Sequence, residues 1–204
     1  YSSSDGSSFS PVTLGLSTTL PYPVKDIAHN GTDFFVISGP DLYKGNGLPL
    51  NLTTVTVSGA SSSKSFVGLY WNTVDTKLYL AREGVGDGAV LTFDGSTWST
   101  LNSSLDINHD VADFAGYNNG SVDIVLLGGG TDKDKNVSGY YESINRGSFG
   151  TPSSSYSAGD DYSDLSLSEN PVRRFFVFGN DVFACPAGDG LWLRNAESGN
   201  WDRN

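Results

Sequence analysis

Apolar residues in this 204-residue chain come in short runs that turn-forming residues separate. The runs are rich in aromatic and β-branched side chains, and Gly, Asn, Asp, Ser or Pro flanks each one, which is typical of β-strands. They read DFFVISG, FVGLYW, KLYLA, AVLTF, VDIVLLGGG, GYYESI, RFFVFG, DVFACP and GLWLRN. We find no amphipathic stretch of three helical turns with caps at both ends. The pattern therefore predicts an all-β fold.

The connections between these runs favour antiparallel pairing. Pairs such as NG, ND and DG suit tight hairpins, whereas parallel strands need long crossover connections for which this chain has no room. The long polar tract at 151–171 is too polar to belong to a core, and we expect it to be a loop between sheets.

One turn motif recurs along the chain. Ser3-x-Asp5-Gly6-Ser7-Ser8-Phe9 matches Thr92-x-Asp94-Gly95-Ser96-Thr97-Trp98 position for position. Weaker copies end at Phe149 and Trp201, and a degenerate turn lies near the midpoint of the first interval. We call these five stretches the turn segments, and they lie near 3–9, 43–52, 92–98, 141–149 and 193–201.

The turn segments recur about every 40 to 52 residues, and a pair of predicted strands precedes the later ones. Repeats of this length with four short strands each are the signature of β-propeller blades. A lone four-stranded blade cannot bury both of its faces, but blades stacked around an axis can. The sequence therefore predicts a β-propeller of four-stranded antiparallel blades, about four of which are visible.

The residues of the turn segments suit a structural role. An Asp on a hairpin turn accepts hydrogen bonds from backbone N–H groups two or three residues on, and Gly tolerates positive φ. The aromatic residue that follows is expected to anchor the interface between blades. We predict this role for the residues Asp5, Gly6, Phe9, Asp94, Gly95, Trp98 and Trp201.

The turn motif resembles the Asp-box, or BNR, repeat of many secreted β-propellers, in a shortened form with one residue fewer between the Asp and the aromatic residue. The resemblance is good at 3–9 and 92–98 and degraded at 141–149 and 193–201. It implies a propeller fold, and it implies less about function, because the family includes sialidases, other glycan-active enzymes, lectin-like proteins and scaffolds.

Residues 1–204 are expected to form a single β-propeller domain or a segment of one. Both ends of the chain carry a turn segment, so the first and last residues correspond to the same part of the repeat. Two arrangements stay open at this point: a closed ring of four blades, and part of a longer array in a larger ring.

The charge of the chain limits its partners. Its net charge of −11 repels phosphates and anionic membrane surfaces, so we expect no nucleic-acid partner. No run is long enough to span a membrane, and we expect no membrane insertion. A single cysteine, Cys185, excludes an internal disulfide and a cysteine metal cluster.

Five Asn-x-Ser/Thr sequons are candidate glycosylation sites, although chance alone predicts about three. They are Asn30, Asn51, Asn102, Asn119 and Asn136. With the resemblance to secreted propellers, they lead us to expect a protein that is extracellular or in a cell envelope.

Two sets of residues are candidates for ligand binding. Asp132, Asp134 and Asn136 alternate as in a calcium loop, but the sixth position is Val137 rather than Gly, so a solvated loop without a cofactor is the alternative. Tyr70, Trp71 and Trp192 could stack on a sugar, although aromatic residues in strands more often belong to a core.

No catalytic residue can be assigned from the sequence. With two histidines and no G-x-S-x-G elbow, a catalytic triad has no support, and the arginines fall at unrelated phases of the repeat. We therefore expect a non-catalytic recognition or scaffold module for a protein or glycan ligand. The alternative is a glycan-active enzyme, such as a glycoside hydrolase or sialidase-like protein, with part of its site outside this chain. A cluster of arginines or carboxylates at the channel mouth would favour the enzyme.

Overall fold

The computed structural model describes residues 6–8, 20–47, 50–59, 64–83, 90–102, 113–118, 122–128, 140–150, 172–178, 181–186, 190–195 and 201–203. Within these ranges the regular secondary structure consists of fifteen β-strands, without a helix. All strand pairs are antiparallel. The predicted all-β, antiparallel fold is confirmed.

The strands form four sheets, and strands that are neighbours in sequence are neighbours in each sheet. We call the sheets blades 1 to 4. Blade 1 contains β1 (Val24–His29), β2 (Phe34–Ser38), β3 (Asp41–Asn46) and β4 (Asn51–Val55). Blade 2 contains β5 (Phe66–Asn72), β6 (Lys77–Arg82), β7 (Val90–Phe93) and β8 (Trp98–Asn102).

Blade 3 contains β9 (Phe114–Asn118), β10 (Asp123–Gly128) and β11 (Tyr140–Ile144). An isolated bridge between Glu142 and Gly150 stands where the other blades have a fourth strand. Blade 4 contains β12 (Val172–Phe178), β13 (Asp181–Pro186), β14 (Trp192–Arg194) and β15 (Trp201–Arg203). The four-stranded pattern thus holds in three blades, and among the described residues blade 3 has a single bridge in place of its outer strand.

The core consists of three apolar clusters, each between two consecutive blades. Blades 1 and 2 enclose Phe35, Ile37, Leu42, Phe66, Leu69, Leu78, Leu80 and Leu91. Blades 2 and 3 enclose Val67, Tyr79, Ala81, Val90, Phe114, Val125, Leu127, Tyr141 and Phe149. Blades 3 and 4 enclose Ala115, Tyr117, Ile124, Leu126, Tyr140, Val172, Phe175, Val182, Ala184 and Trp192.

The longest apolar runs of the sequence include the second strands of blades 2 and 3, which are covered on both sides. All six residues of β10 are buried, and successive residues of β6 and β10 alternate between the clusters on their two sides. Because neighbouring blades cover both faces of these strands, both alternating sets of side chains must be apolar.

The first strands of blades 1, 2 and 4 share a register irregularity near their beginning. The shifts lie between Val24 and Asp26, between Phe66 and Gly68, and between Val172 and Arg174. A bulge of this kind bends a strand and strengthens its twist. Its recurrence at the same place shows that blades 1, 2 and 4 share one structural unit.

Four turn segments lie between the third and fourth strands of their blades, as the strand bounds show. At 92–98, Asp94 Oδ1 accepts hydrogen bonds from the backbone N–H groups of Ser96 at 2.9 Å and Thr97 at 2.7 Å. Gly95 has a φ of 98°. Trp98 begins β8 and stacks on Phe93 with ring centroids 4.7 Å apart.

The aromatic residues of the later turn segments reach the blade interfaces. Trp98 packs against the cluster of blades 1 and 2, and Phe149 is buried between blades 2 and 3. Trp201 packs against the cluster of blades 3 and 4. In the first segment, Gly6 has a φ of 74°, and Asp5 and Phe9 lie outside the described residues.

The close approach of blades 3 and 4 at Gly128 provides a test of the packing. A Cβ at Gly128 would overlap the backbone carbonyl oxygen of Val172 and come within 3.3 Å of the Phe175 ring. We therefore expect Gly128→Ala to lower the free energy of unfolding by about 1–3 kcal/mol. Denaturant unfolding monitored by tryptophan fluorescence would measure the change.

Gly150→Ala is the matched control, since a Cβ at Gly150 meets nothing within 4 Å. It should leave the unfolding midpoint within experimental error. Equal effects of the two substitutions would contradict the described approach of blades 3 and 4.

Candidate functional site at the inner strands

The first strand of each blade lies against the first strand of the next, as β1 contacts β5, β5 contacts β9, and β9 contacts β12. We call these four the inner strands. Carboxylates at two of them join consecutive blades. Asp26 Oδ2 accepts a hydrogen bond from the Leu69 N–H at 2.8 Å, and Asp113 Oδ2 accepts one from the Phe175 N–H at 2.7 Å.

The two carboxylates occupy equivalent places. Asp26 lies at the bulge of β1, Asp113 directly precedes β9, and each binds the N–H of the residue that follows the bulge in the next blade. At the same place blade 2 has Gly68 and blade 4 has Arg174. The acid therefore occurs in alternate blades, and it ties blade 1 to blade 2 and blade 3 to blade 4.

Arg174 completes this group. Its Nη1 lies 3.4 Å from Asp113 Oδ1, and its side chain is 64% exposed. Its positive charge also acts on Asp26, where it opposes the larger effect of burial on the pKa. An ion pair with one exposed partner contributes little to the free energy of unfolding. The main consequence of Arg174 is therefore its effect on the pKa of the two carboxyl groups. We call Asp26, Asp113 and Arg174 the inner-strand cluster.

Burial raises the pKa of both carboxyl groups above the ordinary value. For Asp26, desolvation outweighs the hydrogen bonds from Leu69 and Ile27 and the charge of Arg174. For Asp113, desolvation outweighs the hydrogen bond from Phe175 and the charge of Arg174, and the negative charge of Asp26 raises the pKa further. The charge of Asp26 thus acts on Asp113, and burial is the largest cause of the raised pKa at both residues.

The chemistry open to this cluster is limited by its hydrogen bonds. One oxygen of each carboxylate is bound to the backbone of the next blade, and Asp26 Oδ1 also accepts the Ile27 N–H at 2.8 Å. A backbone N–H that is removed from water needs such an acceptor. The cluster therefore acts first as a polar connection between blades. Sequence reasoning missed it, because only Asp26 and Asp113 of the four equivalent positions carry an acid.

A buried ion pair joins blades 3 and 4. Arg194 Nη2 lies 2.8 Å from Glu142 Oε1, and the two side chains are 3% and 10% exposed. The guanidinium group also lies 5.7 Å from the Tyr117 ring and 5.4 Å from the Trp201 ring. Trp201 Nε1 donates to the Tyr140 hydroxyl at 3.0 Å.

The side-chain amide of Asn102 joins blades 2 and 3. Asn102 Oδ1 accepts the Phe149 N–H at 2.7 Å, and its Nδ2 donates to the Phe149 carbonyl at 2.8 Å. Within blade 2, the Tyr79 hydroxyl donates to Asp75 Oδ2 at 2.9 Å, and burial, followed by the Asp75 charge, raises the pKa of Tyr79. Burial, with the charges of Asp123 and Asp75, raises the pKa of Tyr70 to about 12.

The three aromatic candidates for ligand binding are not brought together. Tyr70 packs against the cluster of blades 2 and 3, where its ring lies near Phe114. Trp71 packs on the opposite side of the same strand and stacks on Phe35. Trp192 is 4% exposed between blades 3 and 4. Each ring thus contributes to a different blade interface.

The remaining candidates are the glycosylation sites and the calcium loop, and their surroundings differ. Asn30 Oδ1 accepts the N–H groups of Thr32 and Asp33, and Asn51 is exposed at the beginning of β4. Asn102 binds Phe149, as described above. The sequons at Asn119 and Asn136, and the calcium candidates Asp132 and Asp134, lie outside the described residues.

Two features are absent from the described ranges. They contain no group of three or more His, Cys, Asp and Glu side chains arranged to hold a metal ion. Nor does the described part of the chain include a helix long and apolar enough to cross a membrane.

Comparison with known proteins identifies the fold and no family. No protein-family model and no curated protein matches the sequence. The structure of BBS1N in complex with ARL6DN is similar, at 10% identity and a TM-score of 0.54, over 88% of this chain and 50% of that one. The WD40 β-propeller domain of Doa1 is 10% identical with a TM-score of 0.49, over 91% of this chain and 69% of that one.

YCF48 bound to D1 peptide is 12% identical with a TM-score of 0.38, over 91% of this chain and 70% of that one. The chain spans half the length of the BBS1N chain that it matches. At these identities the likeness concerns the fold alone. Together with the four stacked antiparallel sheets, it establishes that the chain has the β-propeller fold.

The raised pKa values of the inner-strand carboxyl groups predict a definite pH dependence. Because the folded state holds these protons more tightly than the unfolded chain, the contribution of Asp26 and Asp113 to stability is greatest below the unfolded value of 3.8. It is lost as the pH rises through their folded pKa values. We expect the variant Asp26→Asn Asp113→Asn to gain stability relative to the wild type as the pH rises from 4 towards 7.

Urea unfolding across this pH range would measure the difference. The control is Asp94→Asn, whose parent carboxyl has a pKa lowered by hydrogen bonds from Thr97 and Ser96. Its contribution is present above 3.8 and is lost as the pH falls through its folded pKa, so this variant should lose relative stability as the pH rises. The same sign for both variants would contradict the assignment.

Proposed function

We propose that the chain is a non-catalytic recognition or scaffold module, extracellular or in a cell envelope, that binds a protein or glycan through the loops at one edge of its blades. The observation that carries this proposal is the use of the polar side chains at the blade interfaces. Asp26, Asp113, Asn102, Glu142 and Arg194 each join one blade to the next. Groups committed to such connections serve a rigid frame, which suits a binding platform.

The edge at which the inner strands begin is our choice for the binding face. Antiparallel order places the connections from one blade to the next at this edge, and they span residues 56–65, 103–113 and 151–171. The opposite edge carries tight turns that satisfy their own backbone groups, such as those at Asn30 and Asp94. Longer connections on a rigid frame are where binding residues usually lie.

The inner-strand cluster lies at the same edge, because Asp26, Asp113 and Arg174 stand at the beginning of their strands. The exposed arginine is a donor suited to a carboxylate of an acidic glycan or peptide. BBS1N was solved in complex with ARL6DN, so a protein of this fold holds a protein partner. A protein ligand for this chain is an inference from that likeness and from the arrangement of its loops.

We further propose that the turn segments are shortened Asp-box repeats. The geometry at Asp94 supports this, since one carboxylate oxygen accepts two backbone N–H groups and the Ser96 hydroxyl. The aromatic residues Trp98, Phe149 and Trp201, which pack against three successive interfaces, give further support.

A glycan-active enzyme is the second candidate, and the inner-strand cluster is the observation that favours it. Two carboxyl groups with raised pKa values beside an arginine are the components of an acid–base pair. Residues from outside this chain would have to complete such a site.

Glycan-array and peptide-array binding with matched variants would test the scaffold proposal. We expect Arg174→Ala to weaken binding of an acidic glycan or peptide at least about tenfold, the effect of losing one charge-assisted contact. Lys77→Ala removes one positive charge at the opposite edge, where β6 begins, and should leave binding unchanged. Equal losses in both variants would show that overall charge, rather than this edge, governs binding.

Hydrolysis of aryl glycosides would separate the two candidates. The scaffold proposal expects no turnover by the wild-type protein. Turnover that disappears in Asp26→Asn or Asp113→Asn, while Lys77→Ala retains it, would support the enzyme instead.

Glycan occupancy would test the extracellular assignment. In a eukaryotic secretory host, we expect the exposed Asn51 to be glycosylated. Asn102 should remain unmodified, because its Nδ2, the atom that a glycan would occupy, donates to the Phe149 carbonyl. Mass spectrometry of glycopeptides would give both occupancies, and a modified Asn102 with an unmodified Asn51 would contradict the prediction.

A further inference from the structure

The hairpin turn between β1 and β2 holds an Asn–Gly dipeptide among groups that can react with it. The turn runs from His29 to Asp33 and contains Asn30 and Gly31. Asparagine that precedes glycine can close a ring when the glycine nitrogen attacks the side-chain carbonyl carbon, because glycine has no side chain to hinder the approach. The surroundings of the two reacting groups therefore decide whether the ring forms.

Two backbone donors hold the side-chain carbonyl of Asn30. Its Oδ1 accepts hydrogen bonds from the N–H groups of Thr32 at 2.9 Å and Asp33 at 2.7 Å. Attack on this carbonyl places negative charge on the same oxygen, and fixed N–H donors at such distances stabilise a developing oxyanion. The turn thus provides the electrostatic part of a carbonyl-addition site.

The nitrogen of Gly31 lies against a base. Its N–H donates to His29 Nδ1 at 3.3 Å, so this ring nitrogen carries no proton of its own. The imidazole ring packs on Phe34 with ring centroids 4.3 Å apart, which restricts its rotation. A general base takes a proton along a hydrogen bond of this kind, and histidine is the residue that most often does so.

We propose that Asn30 is a site of self-catalysed modification, at which the side-chain amide converts to a carboxyl group through a succinimide. Gly31 N bonds to Asn30 Cγ while its proton passes to His29 Nδ1. The two donors of the turn stabilise the negative charge that forms on Oδ1. The carbonyl then re-forms, the Cγ–Nδ2 bond breaks, and ammonia leaves with the proton from His29. Water opens the ring to aspartate or isoaspartate, so the reaction needs no other reagent.

The modification would change what this turn can carry. All the groups involved lie within residues 29–34, so the arrangement is local to one hairpin. The reaction removes Nδ2, the atom to which a glycan would attach in the sequon at Asn30. Glycosylation and ring closure are therefore mutually exclusive at this residue. The isoaspartate product also adds its Cβ carbon to the main chain of the turn.

A second Asn–Gly dipeptide serves as a matched control within the same chain. Asn46 ends β3, Gly47 follows it, and both are exposed. Asn46 Nδ2 donates to Asp33 Oδ1 at 3.5 Å. Within the described residues, no N–H donates to Asn46 Oδ1 and no side chain accepts the N–H of Gly47. Exposure alone would favour reaction at Asn46 over the partly buried Asn30, so the two explanations predict opposite orders.

Peptide mapping by mass spectrometry during incubation at neutral pH would test the proposal, with protein from a bacterial host so that Asn30 carries no glycan. In the folded wild type, we expect Asn30 to convert at least about tenfold faster than Asn46, since a placed general base contributes this much or more. In urea, where both turns are lost, the two rates should become similar. A folded protein in which Asn30 stays intact, or in which Asn46 converts equally fast, would overturn the proposal.

Substitutions of His29 separate proton transfer from positioning. His29→Gln keeps an acceptor for the Gly31 N–H but is a far weaker base, and His29→Phe keeps a ring that can pack on Phe34. We expect each to slow conversion at Asn30 about tenfold or more and to leave conversion at Asn46 unchanged. His29 is exposed, so both variants should fold, and circular dichroism would verify this. Conversion at the wild-type rate in His29→Gln would exclude His29 as the base.

Discussion

Burial of the apolar sheet faces between neighbouring blades is the constraint on which the rest of this structure depends. A four-stranded sheet exposes two apolar faces, and packing layers against one another is the way in which a protein removes them from water. Here the blades follow one another in chain order, and each interface holds one continuous apolar cluster. The second strand of blade 3, β10, is buried along its whole length.

This constraint also determines how polar groups are used. An interface that excludes water requires its N–H groups and charges to be paired, because an unpaired polar group there is costly. The ion pair of Arg194 with Glu142 and the amide of Asn102 at Phe149 meet this requirement at two different interfaces. This use of polar groups is the reason why the proposed binding face lies at an edge of the blades and not at an interface between them.

Sequence reasoning predicted the strands with dense apolar and aromatic runs and missed weaker ones such as β1 and β9. The runs containing β6, β10 and β13 stand out because their side chains are apolar on both faces. β1 gave no such signal, since its residues are mostly exposed. β9 is short and includes Gly116, which the Tyr70 hydroxyl approaches too closely for any larger residue.

The aromatic residues show a second limit of the sequence. Tyr70 and Trp71 are neighbours in the chain, yet they face opposite sides of β5 and belong to different clusters. Their identity as aromatic strand residues cannot reveal which faces of the blade are covered. That depends on the position of the blade within the stack, which is a property of the whole fold.

The sequence by itself determined the all-β class, the length of the repeat and the places of the turn segments, because strand propensity and turn chemistry act over a few residues. Tertiary structure alone decided which polar residues meet. Asp26 binds the backbone 43 residues away, and Asp113 binds it 62 residues away. Such contacts form only when blades stack in register, and no local pattern encodes the identity of the residue that will lie opposite.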